Sequence, residues 1–126
     1  MNEKSVALGL VKTTFYDPTG LDAHNVTTAK EMAKIAYAAF ANPKVLEADG
    51  YKAYSITAID SGNNAKEIKV LNRNYSLEKF EPEASKTGFL VEAQRTVTLK
   101  KNGGIIVVLH ALSMKQRNDI IIKLLK

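Results

Sequence analysis

The segment running from Arg95 to Leu109 constrains the fold of this chain more than any other. Arg95-Thr96-Val97-Thr98-Leu99-Lys100 alternates polar with apolar residues, Asn102-Gly103-Gly104 follows, and Ile105-Ile106-Val107-Val108-Leu109 is an unbroken apolar run. Alternation is the period of a half-buried strand, and Asn-Gly is the residue pair that two-residue hairpin turns demand. The pattern predicts an antiparallel hairpin whose second strand is buried on both faces, at the centre of a sheet.

Other segments supply helices for such a sheet to bury against. Asn2 to Leu8 reads as a helix closing at Gly9. Thr28-Ala29-Lys30-Glu31 fits a capping box, and Met32, Ile35, Ala36, Ala39 and Phe40 follow at the spacing of one helix face, with Asn42-Pro43 ending it. Ser113-Met114-Lys115-Gln116 opens a last helix, placing Ile120, Ile121, Leu124 and Leu125 against the sheet. Tyr51 to Ala58 and Lys66 to Leu71 read as a second hairpin around the turn residues Asp60-Ser61-Gly62-Asn63-Asn64. The fold class is α+β, an antiparallel sheet packed with helices, and residues 1–126 read as a single domain without repeats or linkers.

Composition removes several function classes. The formal charge is +5, but the basic residues are scattered, with Lys100-Lys101 as their longest run, so a nucleic-acid footprint is absent and no nucleic-acid partner is expected. There are no cysteines and only two histidines, His24 and His110, in no ligand spacing, which leaves no thiolate chemistry and no metal site. Neither a phosphate-binding glycine loop nor a dinucleotide fingerprint occurs, so no cofactor is expected. No apolar run is long enough to span a membrane, and Met1-Asn2-Glu3-Lys4-Ser5 has no secretory signature.

One short motif carries chemistry. Lys86-Thr87-Gly88 precedes the predicted sheet-centre hairpin, and a chance match is expected roughly 0.06 times in a chain of this composition. Lys-Thr-Gly on a strand is one of three elements of the serine acyl-transferases that act on penicillins and D-Ala-D-Ala peptides. There the lysine holds a positive charge in the cleft, the threonine hydroxyl can bind a substrate carboxylate, and the glycine admits substrate close to the backbone.

Around that motif the order of segments widens the likeness. Met1-Asn2-Glu3-Lys4, Leu8-Gly9-Leu10, Thr14-Phe15, Pro18-Thr19-Gly20-Leu21-Asp22, Thr27-Thr28-Ala29, Asn72-Arg73-Asn74, Lys86-Thr87-Gly88 and Ile106-Val107-Val108-Leu109 occur in one order and spacing. The chain resembles the low-molecular-mass penicillin-binding proteins, the serine-type D-alanyl-D-alanine carboxypeptidases, over the second half of their catalytic domain, a partial β-lactamase/transpeptidase-like fold. The resemblance implies a D-Ala-D-Ala carboxypeptidase working on peptidoglycan stem peptides through an acyl-serine, in the cell envelope outside the cytoplasm. It makes Lys86 the cleft lysine, Thr87 the carboxylate-binding hydroxyl, Gly88 the close-approach glycine and the Phe89 N–H one of two oxyanion-hole donors. Asn72-Arg73-Asn74 becomes structural support beside the site, and Pro18, Gly20 and Leu21 shape a nearby loop.

In that family the nucleophilic serine lies in an S-x-x-K motif upstream of the segment matched here, and an S-x-N motif lines the cleft. Ser76-Leu77-Glu78-Lys79 and Ser61-Gly62-Asn63 match those patterns by letter, but roughly 0.7 and 0.4 chance matches are expected, and their order is reversed. Both are expected in loops away from the cleft, leaving this chain inactive by itself. Leu90 stands where the family usually has Thr and Gln94 where it has Gly, predicting loss of a polar cleft wall. His110 replaces a frequent Gly and is expected to crowd a neighbouring element. The alternative reading is a non-catalytic module binding cell-wall peptides. Expected partners are a peptidoglycan peptide or β-lactam, together with a second copy of the chain, or a partner supplying the other half, along the apolar strand Ile105 to Ala111.

Overall fold

The first helix, α1 (Asn2–Ala7), ends as the sequence predicts, with Gly9 at φ +65° turning the chain back. The computed structural model describes residues 1–126. Helix α2 (Ala29–Phe40) starts at Thr28, whose hydroxyl accepts the Glu31 N–H at 3.2 Å. The reciprocal half of the predicted capping box is missing. The Glu31 carboxylate turns instead to the preceding loop and accepts from the N–H groups of Val11 (3.0 Å) and Lys12 (3.1 Å) and from the Thr13 hydroxyl (2.5 Å). A local cap has become a tertiary clamp joining the 11–13 segment to α2.

Asn42-Pro43 does end α2, but it also begins a helix that helix-face spacing did not reveal. The Asn42 side chain accepts from Lys44 N–H at 3.0 Å and Pro43 occupies the first turn of α3 (Pro43–Gly50). Proline in the first turn gives up an amide that would have no helical partner there, so the pair is as much a start as a stop. Strands β1 (Ala53–Ile59) and β2 (Ala65–Leu71) follow, paired antiparallel around a turn in which the Asp60 carboxylate accepts from Gly62 and Asn64 N–H at 2.8 and 2.9 Å. This ribbon is a sheet of its own, largely exposed on both faces.

After a short helix α4 (Ser76–Phe80), strands β3 (Ala84–Leu90), β4 (Gln94–Lys101) and β5 (Gly104–Ala111) form the main sheet in the order β3-β4-β5, all antiparallel. The predicted Asn102-Gly103 turn is present, with φ of +53° and +76° at its two central residues. The sheet centre is β4. Strand β5 is outermost, so its apolar run is covered by helices but open along one edge, and of Ile105 to Leu109 only Val108 is fully buried. The continuous apolar pattern reflects cover on two faces, which an edge strand can have; it does not report a neighbour on each side.

Alternation along β4 divides the interior. Val97 and Leu99 meet Val108, Phe80 and Ile121 on the side of helix α5 (Met114–Leu124), while Ala84 of β3 packs with Ala36 and Phe40 of α2 on the other. Full burial of a Val, Leu or Ile side chain is worth about 2 kcal/mol, and Val97, Leu99 and Ile121 are all closed to solvent. Ser113 caps α5 through its hydroxyl at 3.0 Å from Gln116 N–H, as predicted. Ile120 and Leu125 flank the core as expected, whereas Leu124 points outward, 58% exposed.

His110 also departs from expectation. Its side chain is solvent-exposed and crowds nothing; what is unusual is its backbone, at φ +57°, at the point where the β4–β5 register shifts between Arg95↔Ala111 and Val97↔Val108. Such a bulge wants a left-handed residue, which explains a preference for glycine on backbone grounds.

The clamp on Glu31 carries a pH signature. Hydrogen bonding, from Thr13 first, holds its carboxyl below the ordinary 4.5 against the opposing effect of burial. The stability it contributes is complete above that ordinary value and is lost as pH falls through the lowered one. Urea denaturation of wild type and Glu31→Gln is therefore expected to show a gap that is largest near neutrality and closes on acidification; a pH-independent gap would show that the charge is not what matters.

Candidate substrate cleft

Lys86, Thr87 and Gly88 lie in the middle of β3, the open-edged strand opposite β5, paired with Thr98, Val97 and Thr96 of β4. All three line a cavity of about 450 Å³ between the main sheet, α2 and the 15–27 loop, into which Pro18 and Gly20 also project. The loop is held by one carboxylate. Asp17 accepts from the N–H groups of Thr19 (3.0 Å) and Gly20 (3.3 Å), and from the Thr19 hydroxyl and the Asn25 side-chain amide, which keeps its carboxyl well below the usual range. Asn25 in turn accepts from Tyr16 N–H at 2.7 Å, and the loop closes on a bridge between Thr14 and Val26. Leu21, grouped with Pro18 and Gly20 in the sequence, is 72% exposed and does not line the cleft.

The predicted site residues differ in state. Lys86 is exposed and in none of the chain's ion pairs; its ammonium donates to the Thr87 carbonyl at 2.6 Å. Thr87 is half-buried. Phe89 does not line the cavity, and its ring stacks with the Arg95 guanidinium at 4.9 Å, so any role in the cleft falls to its backbone. Gly88 is needed by the sheet itself: a Cβ there would lie 2.8 Å from Thr96 Oγ1, the hydroxyl of its cross-strand partner, which donates to the Gly88 carbonyl at 3.3 Å. A substrate approaching β3 meets a strand already pared down for its neighbour.

The polar wall expected to be lost is present, supplied by other residues. Leu90 and Gln94 are not cleft residues; Gln94 is the positive-φ residue that leads into β4, its side chain bonded to the Val91 carbonyl. Thr96 and Thr98 line the cavity instead. The signal for them was legible, since alternation puts both threonines on the face opposite Val97 and Leu99.

Asn72-Arg73-Asn74 sits beside the cleft. Asn74 is buried and donates to the Ser85 carbonyl (3.1 Å) and hydroxyl (2.7 Å), accepts from Ser76 N–H, and receives its own backbone order from Asn72, whose side-chain oxygen accepts the Asn74 N–H at 2.9 Å. Asn72 also donates to the Tyr51 carbonyl at 3.0 Å, tying the β1–β2 ribbon to the residue next to Lys86.

Ser76-Leu77-Glu78-Lys79 is not in a loop. It forms helix α4, with the serine at the helix start. Ser76 nonetheless faces away from the cleft: it is 1% exposed, and its hydroxyl accepts from Arg117 of α5 at 3.4 Å, on the other side of the sheet. Burial pushes the Arg117 pKa down, and the partners of its guanidinium are neutral, the Ser76 hydroxyl and the Asn118 side-chain oxygen at 3.3 Å. Ser61-Gly62-Asn63 lies in the exposed β1–β2 turn, as predicted.

The chain matches, over residues 1–113, a family described as D-alanyl-D-alanine carboxypeptidase. A D-alanyl-D-alanine endopeptidase of Haemophilus influenzae is 29% identical over 93 residues, covering 74% of this chain and 31% of that protein. The Escherichia coli endopeptidase of the same name is 42% identical over 45 residues, 36% of this chain and 14% of its own length. Among solved structures, the Streptomyces K15 DD-transpeptidase superposes with a TM-score of 0.85 at 24% identity, over 98% of this chain and 50% of that one. A Mycobacterium tuberculosis D-alanyl-D-alanine carboxypeptidase gives 0.75 at 21%, over 97% and 50%. The chain thus spans about a third or less of the curated relatives and half of the solved ones.

The Gly88–Thr96 contact is open to a double-mutant cycle. Gly88→Ala is expected to destabilise the chain by about 1–3 kcal/mol through overpacking, and the loss to be smaller in a Thr96→Ala background, read by urea denaturation of all four proteins. Additive losses would show that the threonine hydroxyl is not what the glycine accommodates.

Proposed function

The chain belongs to the D-alanyl-D-alanine carboxypeptidase family, and from that premise we propose that its cleft is the substrate-binding wall of a serine DD-peptidase acting on peptidoglycan stem peptides outside the cytoplasmic membrane. The observation that carries this reading is the convergence of Lys86, Thr87, Gly88, Thr96 and Thr98 on one cavity beside an open strand edge. A peptide laid along β3 can offer its terminal carboxylate to the Lys86 ammonium and the Thr87 hydroxyl. The Phe89 N–H then serves as an oxyanion donor, aimed at charge that develops on the carbonyl oxygen as the acyl-serine forms.

On this reading the nucleophilic serine and the second donor belong to the other part of the family's fold, and the two by-letter matches do not substitute for them: Ser76 is buried against α5 and Ser61 lies in the exposed β1–β2 turn. The alternative, a non-catalytic module binding cell-wall peptides, draws no support from Leu90 and Gln94, neither of which lines the cleft. By the same reading the free edge of β5 accepts a further strand, from a second copy or from a chain carrying the rest of the fold. No helix here is long and apolar enough to cross a membrane.

Intact-mass spectrometry of the 126-residue chain with excess penicillin is expected to show no acyl adduct, while an N-acylated D-Ala-D-Ala peptide binds without bond formation and Lys86→Gln weakens it about tenfold. A stoichiometric adduct, mapped to Ser76 or Ser61, would overturn the assignment of the nucleophile; indifference of the peptide to Lys86→Gln would overturn that of the cleft. For the β5 edge, size-exclusion chromatography is expected to show association rising with concentration, and a monomer that persists at high concentration would exclude it.

A further inference from the structure

Between helix α3 and the base of the β1–β2 ribbon lies an open groove of about 510 Å³, slightly larger than the cleft. Its lining is mainly apolar, with Tyr51, Tyr54 and Val70 prominent, while Lys44, Glu47 and Asn72 supply the polar groups. Register pairs Tyr54 with Val70, so both side chains stand on one face of the ribbon, and that face continues through the pair Ile56 and Ile68. All four residues are exposed. A two-stranded ribbon has no second layer of its own, and this apolar face is left to solvent.

The two tyrosines set the groove apart from the other exposed aromatic residues. Tyr37 and Tyr75 stand without an aromatic neighbour, whereas the rings of Tyr51 and Tyr54 meet at 5.3 Å, tilted by 54°. Tyr51 is fixed at both ends: its hydroxyl donates to the Glu47 carboxylate at 2.8 Å, and its carbonyl accepts from the Asn72 side chain at 3.0 Å. Little ordering is left for a ligand to impose. The pairing does not use up the rings, since Tyr51 and Tyr54 remain 41% and 55% exposed.

A preset pair of aromatic faces with hydrogen-bonding groups at its margin suits a sugar ring. The C–H face of a pyranose brings partial positive charge to the electron-rich face of an aromatic ring, and its hydroxyls reach sideways to carboxylate, ammonium and amide. Lys44 and Glu47 are the groove's only charged groups, one of each sign, so they offer a neutral ligand a donor and an acceptor without selecting for charge. An apolar side chain seated there would strip water from both and return no hydrogen bond. The groove is also joined to the cleft. Asn72 lines it and lines a polar recess of about 350 Å³, which passes Asp49 and Arg73 to reach Lys86 and Thr87 at the cleft.

We propose that the groove between α3 and the ribbon binds the saccharide strand to which the stem peptide is attached, with N-acetylated sugar rings laid on Tyr54 and Tyr51. The kind of sugar rests on the reading above, in which the substrate is peptidoglycan. A peptide still attached to its glycan is then favoured over the same peptide free in solution, because it occupies groove and cleft together.

The test is an amide-resolved NMR titration of the 126-residue chain with tri-N-acetylchitotriose, a sugar that carries no peptide. It is expected to perturb Tyr51, Tyr54 and Val70 and to leave Thr87 and Gly88 unmoved. Tyr54→Ala should weaken binding about tenfold, while Tyr54→Phe, which keeps the ring, should bind as the wild type does. Unchanged Val97 and Leu99 amides in both variants check that the fold is kept. Absence of groove shifts at millimolar sugar, or a Tyr54→Ala affinity equal to that of wild type, would overturn the proposal. So would equal shifts from N-acetyl-leucinamide, which mark a groove for apolar peptides, or groove shifts that follow protein concentration without sugar, which mark a second copy. The N-acylated D-Ala-D-Ala peptide, added separately, reports on the cleft through Thr87 and Gly88. If it shifts them while the sugar shifts nothing, the cleft reading stands without the groove; if the sugar binds and the peptide does not, the groove stands as a saccharide site and the cleft reading falls.

Discussion

Strand β4 is the member on which the rest of this structure depends. It alone pairs on both edges, and its alternating side chains face two different environments. Val97 and Leu99 anchor α5 through the sealed core with Ile121, and on the opposite face Thr96 and Thr98 floor the cleft under α2. Core and cleft are two sides of the same few residues, so the geometry of the cleft is inherited from hydrophobic burial on the other side of the sheet. The Gly88–Thr96 approach fixes β3 against that floor and, with it, the height of Lys86 and Thr87 at the cavity rim.

A second layer of order is polar and consists of carboxylates and amides that stitch irregular backbone. Asp17 holds the loop that closes the cleft on one side, and Glu31 fastens the preceding segment to α2. Asn72 and Asn74 fasten the end of the β1–β2 ribbon to β3 beside the motif. Loops carry unpaired N–H groups, and a buried or half-buried acceptor that takes several of them turns a loop into a fixed wall. The frame around the charged groups is therefore made stiff by residues whose polar side chains are already engaged with backbone. Asp49, Arg73 and Lys86 contrast with this in that none of them is in an ion pair, although the Lys86 ammonium donates to the Thr87 carbonyl.

Elements with one dominant local signal were legible. The caps at Thr28 and Ser113, the Asn102-Gly103 turn, the Asp60 turn and the alternation of β4 all lie where short-range chemistry places them. Features with two local meanings were not. Asn42-Pro43 reads equally as a helix stop and a helix start, and it is both. Ser76 begins a helix in five residues too few to show a periodic face, and only packing against Arg117 explains its orientation. Leu90 and Gln94 are close to the motif along the chain but not in space, since neither lines the cleft and the chain turns between them into β4.

By itself the sequence determined the α+β class, most of the elements and the Lys86-Thr87-Gly88 motif, because each is encoded in periodicity, in caps or in a few contiguous residues. Tertiary structure alone decided that Glu31 clamps a loop twenty residues away and that Asp49 and Arg73 join Lys86 around one recess. These depend on which surfaces meet after burial has ordered the sheet and its helices. A strand's neighbours and a charge's neighbours are set by long-range packing, on which local chemistry is silent.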